Sequence, residues 1–218
     1  MKNIKKSLIY NTIIVILVVL GNIFMFNGIK FMPSDDLLQV NNIEMLKFYT
    51  VDSNILMGIV SFILAIYEYL LLKKKINKIP NFVYLFKMIG TASIFLTFIV
   101  TAFFLTPRYG LYSMYNNSNL IFHLIVPLLS VFSYTFYEKH DNRFKYAILG
   151  IIPMVLYSIY YTTEILVHLD SEGLTYKYDF YGFLAGKLSN LFISVPIVYL
   201  VTFVLSLFIV SMNKKFAK

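Results

Sequence analysis

The sequence predicts an all-α integral membrane protein, a bundle of six transmembrane helices with both termini on the cytoplasmic side. Three observations predict it. First, 59% of the 218 residues are hydrophobic and 14% charged, against about 45–50% and about 25% in soluble domains. Second, six runs reach the roughly 20 apolar residues that a bilayer demands. Third, the basic residues crowd one set of run ends. Mean hydropathy is +0.72. This balance excludes a soluble enzyme and a disordered chain.

The runs cover 7–27, 48–72, 83–105, 119–137, 144–167 and 188–212. The first follows Lys2, Lys5 and Lys6 like a signal peptide. It is long for one, and no small-x-small cleavage pattern follows, so a retained helix is expected. The second carries Thr50, Asn54, Gly58 and Ala65 on one stripe. The third carries Gly90, Ser93, Thr97 and Thr101 at helical spacing. The fourth carries Asn119, His123, Pro127, Ser130 and Tyr134. The fifth carries Pro153, Tyr157, Tyr160, Glu164 and His168, and the sixth opens with Asn190 and Ser194. Small and hydroxyl residues at this spacing commonly let membrane helices approach closely. That packing role is expected of Gly58, Ala65, Gly90, Ser93 and Thr97. No repeat or linker divides the chain, so residues 1–218 form one domain.

Orientation follows from charge. Fourteen of the 19 basic residues, Lys73, Lys87, Lys139 and Arg143 among them, fall at one set of ends. Lys30, Lys47, Arg108, Lys177 and Lys187 fall at the other. The lysine-rich side is cytoplasmic. Acidic residues lean the opposite way: Asp35, Asp36, Glu44, Asp52, Glu164, Asp170, Glu172 and Asp179. The net charge of +8 is therefore a topology signal directed at membrane lipids, with no nucleic-acid partner. A composition rich in Lys, Ile, Asn, Phe and Tyr suggests a bacterial cell membrane. The outer segment 169–187 gathers Tyr176, Tyr178, Phe180, Tyr181 and Phe183 around Gly182 and Gly186. It reads equally as a segment dipping into the interface and as an ordinary aromatic belt.

Chemistry is limited by what is missing. The sequence has no cysteine, which excludes disulfides and thiol nucleophiles. His123, His140 and His168 lie apart, so no metal is expected. No cofactor is expected either: there is no glycine-rich phosphate loop, and Lys87 and Lys187 sit near helix ends, unsuited to retinal. No Gly-x-Ser-x-Gly elbow marks a conventional lipase. The polar residues left within the spans concentrate toward the outer leaflet. Thr50, Asn54, Thr101, His123, Tyr160, Glu164, Asn190 and Asn22 fall at similar depth at 1.5 Å per residue. An outward-opening polar cavity is expected there. Pro127 lacks the N–H that would bond the His123 carbonyl, so a kink is expected beside His123.

Phe48-Tyr49-Thr50-Val51-Asp52-Ser53-Asn54-Ile55-Leu56 resembles the aromatic-Thr-x-x-Ser-Asn-Leu signature of a prokaryotic six-helix membrane family labelled Pr-six-Pr. Asn119 to His123, with Val126-Pro127-Leu128-Leu129, resembles its Asn-x-x-x-His-x-x-x-Pro-Leu-Leu signature. Tyr178-Asp179-Phe180-Tyr181-Gly182-Phe183-Leu184 is similar to its Tyr-Pro-Tyr-x-Phe-Leu loop, with Asp179 in place of proline. More distantly, the chain looks like the androgen-induced and androgen-dependent transmembrane hydrolases, which cleave fatty acid esters of hydroxy fatty acids with a threonine and a histidine. That resemblance implies Thr50 as nucleophile and His123 as base.

Such a pair demands that a weak hydroxyl nucleophile meet its base. Glu164, on a separate helix, is the better candidate to orient His123. Asp52 reads as a helix-capping residue. Asn54, one turn from Thr50, is placed to donate to an oxyanion. Asn119, Thr101 and Tyr160 are supporting or binding residues. The expected function is an intramembrane hydrolase or acyl-transfer enzyme for lipid esters. The alternatives are a non-enzymatic binder, sensor or transporter subunit using the same cavity, and a structural protein whose polar stripes only pack helices.

Overall fold

In hydrocarbon no water takes up the backbone N–H and C=O groups, so a spanning chain must pair them internally. The computed structural model describes residues 2–33, 40–175 and 177–217, the side chains of 170–172 excepted. Asp35, Asp36, Tyr176 and the side chains of Asp170 and Glu172 therefore lie outside the described residues. Among the described residues, six helices are long and apolar enough to cross a membrane: α1 Lys2–Phe26, α2 Tyr49–Leu72, α3 Asn81–Tyr109, α4 Asn117–Tyr137, α5 Phe144–Leu169 and α6 Leu188–Phe216. This is the build of a multi-pass membrane protein. Both termini lie at one end of the bundle: Lys6 sits over the Tyr137 ring, and Phe136 contacts Phe216.

The helices outrun their apolar runs because backbone pairing continues after hydrophobicity stops. α1 starts at Lys2, and α6 ends with Lys214 and Lys215 in its last turn, where cations complement the helix dipole. Pro80 caps α3 in extended conformation. α5 starts as a 3₁₀ stretch over Phe144–Ile151, and Pro153 stands in the first turn of the α-helical part, where its missing N–H costs nothing.

The small-residue stripes bring backbones together. A Cβ on Gly58 would come within 2.8 Å of Val18 Cγ1, and one on Gly90 within 2.8 Å of Val60 Cγ2. Tyr49 and Ser93 share a hydrogen bond of 2.7 Å, and Ser53 and Thr97 one of 2.8 Å. Ile14, Met57, Ile94, Phe122 and Val126 are buried together in an apolar cluster. Large apolar side chains such as Phe62, Phe103, Leu156 and Phe192 stay exposed, as a lipid-facing surface requires.

Among the described residues, two helices contain π turns. α3 has a π turn at Thr101–Leu105 and α4 one at Ile121–Ile125. Each is followed by one residue and then a proline, Pro107 and Pro127. The amides of Thr106 and Val126 bond five residues back, to Thr101 and Ile121. This corrects the carbonyl assigned to Pro127. In the π register its absent amide would have served Phe122 instead of His123.

Two further expectations change. The segment after α5 folds onto the bundle instead of lying as an aromatic belt. Leu184 is fully buried and Asp179 nearly so. The Tyr161 hydroxyl donates to Asp179, whose other oxygen accepts the Leu184 N–H at 3.2 Å. Gly182 and Gly186 take left-handed φ of 67° and 78°, which glycine adopts without strain. Lys87, counted above among the end lysines, is 0% exposed; it faces inward because Glu138 pairs with it at 3.9 Å.

The α1–α2 approach gives a direct test. Gly58→Leu forces Val18 aside and is expected to lower stability by about 1–3 kcal/mol. Adding Val18→Ala should restore part of it, measured by thermal melts in detergent.

Candidate functional site

The site forms where α2 begins. Thr50 lies in the first turn of α2, whose early amides have no helical partner. No side chain caps that turn from within the helix. The cap comes from the folded-in segment. The Tyr49 N–H donates to the Tyr181 phenol oxygen at 3.0 Å, and the Thr50 amide and hydroxyl also reach it. Tyr157, which donates to the Lys47 carbonyl at 2.6 Å, adjoins the same oxygen. Burial pushes the Tyr181 phenol up to about 12, so its proton stays in place near neutral pH.

Opposite stands His123, in the π turn of α4 and 6% exposed. Its Nδ1 lies 2.7 Å from the Met114 carbonyl. A carbonyl only accepts, so Nδ1 carries the proton. In the neutral ring Nε2 is then the lone-pair nitrogen. Tyr115 meets the imidazole edge-on at 6.4 Å between centroids.

Thr50, His123 and Asn119 line one chamber of about 70 Å³, together with Phe48, Leu105 and Tyr181. The chamber shares Met25, Val40 and Asn119 with a polar vestibule of about 220 Å³. The vestibule lies at the end away from the termini. On the other side the chamber shares Thr50, Leu105 and Tyr181 with an apolar cavity, which Thr101 also lines. That cavity shares Leu96, Val100, Phe183 and Val198 with a groove of about 370 Å³ between α3 and α6. The groove walls include Phe104, Ile193 and Ile197, all lipid-facing. Among the described residues, no hydrogen bond joins Thr50 to His123; they face one space without touching.

Other residues fall elsewhere. Asn54 is fully buried and spends its amide on backbone: Nδ2 donates to the Thr50 carbonyl at 2.8 Å and to the Phe122 carbonyl at 3.2 Å. It occupies the bond that Pro127 leaves open and is not aimed at an oxyanion. Glu164 does not orient His123. It is partly exposed, 3.9 Å from His168 on its own helix, and the Met114 carbonyl fills the orienting position. Tyr160 lines a separate surface cavity with Asp52 and Leu156. Asn22 and Asn190 bond backbone carbonyls locally.

Sequence reasoning passed over Tyr181 and Met114. Tyr181 stands in the sequence within a cluster of aromatics that reads the same on a membrane surface and within the Tyr178–Leu184 stretch, neither of which gives it a role. A backbone carbonyl such as that of Met114 leaves no mark in a sequence.

Asn54→Leu strands the Phe122 carbonyl in the core and is expected to lower stability by about 1–3 kcal/mol. Thermal melts in detergent measure the loss, and Asn54→Asp tests whether the missing donor, not the missing volume, is responsible.

Comparison with family models, with curated proteins and with solved structures gives no match.

Proposed function

We propose that the chamber is the active site of an intramembrane hydrolase or acyl-transfer enzyme acting on lipid esters. The observation that carries this reading is the placement of Thr50 and His123, from different helices, on one chamber with His123 Nδ1 pinned as a donor. The likeness of the three sequence motifs to the Pr-six-Pr family, and more remotely to the threonine/histidine lipid hydrolases, supports it. So does the series of apolar cavities leading to the lipid-facing groove between α3 and α6. An acyl chain lying in that groove brings its ester toward Thr50, while a polar head finds the vestibule.

In this mechanism Nε2 of His123 takes the Thr50 hydroxyl proton, directly or through one water. Thr50 Oγ1 bonds to the ester carbonyl carbon, and the carbonyl π electrons move to oxygen. The Tyr181 O–H, held protonated, donates to that oxyanion. The C–O bond to the leaving alcohol breaks, and His123 returns its proton to the departing oxygen. A water or acceptor alcohol then displaces the acyl group from Thr50 by the same steps in reverse.

A purified full-length chain in detergent is expected to turn over a fluorogenic ester lipid. Thr50→Ala should abolish turnover, and His123→Gln should lower kcat by about 10²–10⁴-fold, both with unchanged melting temperature. Undiminished turnover in both variants overturns the assignment.

One observation favours a second reading, a non-catalytic lipid or small-molecule binder. The Thr50 hydroxyl is already engaged by Tyr181, with no base in contact. Stabilisation by an ester-free lipid analogue, lost in His123→Gln and accompanied by no turnover, would select the binder.

A further inference from the structure

Four helices bring a second polar cluster together at the end that carries the termini, far from Thr50. Asn11 comes from α1, Glu68 from α2, Lys87 from α3, and Glu138 stands just past α4. None is more than 1% exposed. The Glu138 Oε1 accepts from Ser133 at 2.7 Å and from Asn11 Nδ2 at 3.4 Å, with Lys87 Nζ at 3.9 Å. The same Asn11 Nδ2 lies 3.4 Å from Glu68 Oε2. Lys87 also spends donors on Ser61 Oγ at 2.7 Å and Met57 sulfur at 3.3 Å.

Two counts fail to balance. Two buried carboxylates face one buried ammonium, so one negative charge is uncompensated where charge is most costly. Two buried acceptor atoms, Glu138 Oε2 and Asn11 Oδ1, have no donor. The Asn11 amide cannot be turned to relieve this, because its oxygen would then face both carboxylates. The cluster is short of one positive charge and one hydrogen-bond donor, and a proton on a carboxylate supplies both. Lys87 already occupies the space between the groups and repels an alkali cation; a proton needs no cavity.

We propose that the Asn11–Glu68–Lys87–Glu138 cluster is a proton-binding site, holding one exchangeable proton on the Glu68/Glu138 pair. The proton leaves a hydronium or buffer acid on the side of the termini, the cytoplasm by the lysine distribution. It bonds to a carboxylate oxygen, and no other bond changes. His140 flanks the cluster. It is half-buried, its Nδ1 bonds the Glu138 carbonyl at 2.9 Å, and its ring stacks on Tyr84 at 4.8 Å. Among the described residues, the groups around the pair also include Ser7 of α1 against Glu68, Tyr84 of α3 and Tyr134 of α4 near Glu138, and Asn213 of α6 on the Glu138 carbonyl. Asp141 and Arg143 pair with each other in solvent.

Burial pushes the Glu138 carboxyl above its ordinary 4.5, with Lys87 pulling part of the way back. A carboxyl raised on folding adds stability that is complete below pH 4.5. That stability is lost as pH rises through the folded-state value. His140 works the other way, since burial lowers it; comparison with Glu138→Gln, which keeps His140, removes its contribution.

The test is a melting curve of the full chain in detergent from pH 5 to 9, with choline or sodium as the cation, beside an infrared titration. The wild type is expected to lose several degrees as pH rises and to show a protonated-carboxyl band at pH 7. Sodium should change nothing. Glu138→Gln should flatten the pH slope, remove the band and match or exceed the wild type at pH 9. Absence of the band with a flat wild-type slope overturns the proposal. So does sodium-dependent stabilisation that Glu138→Gln abolishes, which assigns the site to an alkali cation. If Glu138→Gln does not fold, the wild-type infrared titration decides alone. Neither outcome depends on ester turnover, so this proposal and the hydrolase reading fail separately.

Discussion

The bond from Asn54 Nδ2 to the Phe122 carbonyl joins α2 to α4 at the level of the chamber, and the arrangement of the site depends on it. A proline inside a spanning helix strands a carbonyl, and hydrocarbon offers nothing to receive it. In α4 the break is absorbed twice. The π turn moves the stranded carbonyl to Phe122, and a side chain from the neighbouring helix takes it. The same Asn54 amide accepts no freedom of its own, because it also holds the Thr50 carbonyl one turn back. A single side chain thus fixes the spacing between the helix that presents Thr50 and the helix that presents His123. π turns recur at functional sites for this reason: they present a side chain at the cost of local helix regularity.

The six spans were legible because hydrophobicity is a property of whole runs, and the runs are separated by charge. Their ends were less so, since helical pairing carries on through Lys2 at one terminus and Lys214 at the other. Thr50 and His123 stood out because a polar group in hydrocarbon is costly. Depth alone gave no azimuth, however. Glu164 shares the depth of His123 and faces outward, whereas Asn54 shares the face of Thr50 and is spent on backbone. The role of Tyr181 was hidden because loop aromatics look alike on a headgroup layer and on a folded-in cap. What decides between them is a tertiary contact, Tyr161 with Asp179, which no spacing encodes.

Lys87 shows the limit of counting charges by position. The positive-inside rule treats a lysine near a span end as solvent-facing or snorkelling. Lys87 does neither because Glu138, just past the end of α4, draws it inward. Only the packed bundle brings that partner within reach. The other basic residues named for the terminal end, Lys73, Lys139 and Arg143, are exposed or partly so, and the topology reading does not depend on the one that is buried.

The chamber and the charged cluster share two helices. α2 carries Thr50 and Asn54 near one end and Ser61 and Glu68 toward the other; α4 carries His123 early and Ser133 late, with Glu138 just beyond. Between the two polar levels, Met57 and Val60 of α2 and Phe122 and Val126 of α4 are buried against Ile14 and Val18 of α1. An apolar layer of this kind separates the two polar levels, so each must satisfy its own donors and charges locally. At the chamber level the charge balance closes, because Tyr181, Met114 and Phe122 contribute neutral groups, although the buried Asn54 Oδ1 has no donor there. At the terminal level it does not close with the side chains alone. The two polar levels thus differ in charge: neutral groups meet at one, and two carboxylates with one ammonium at the other.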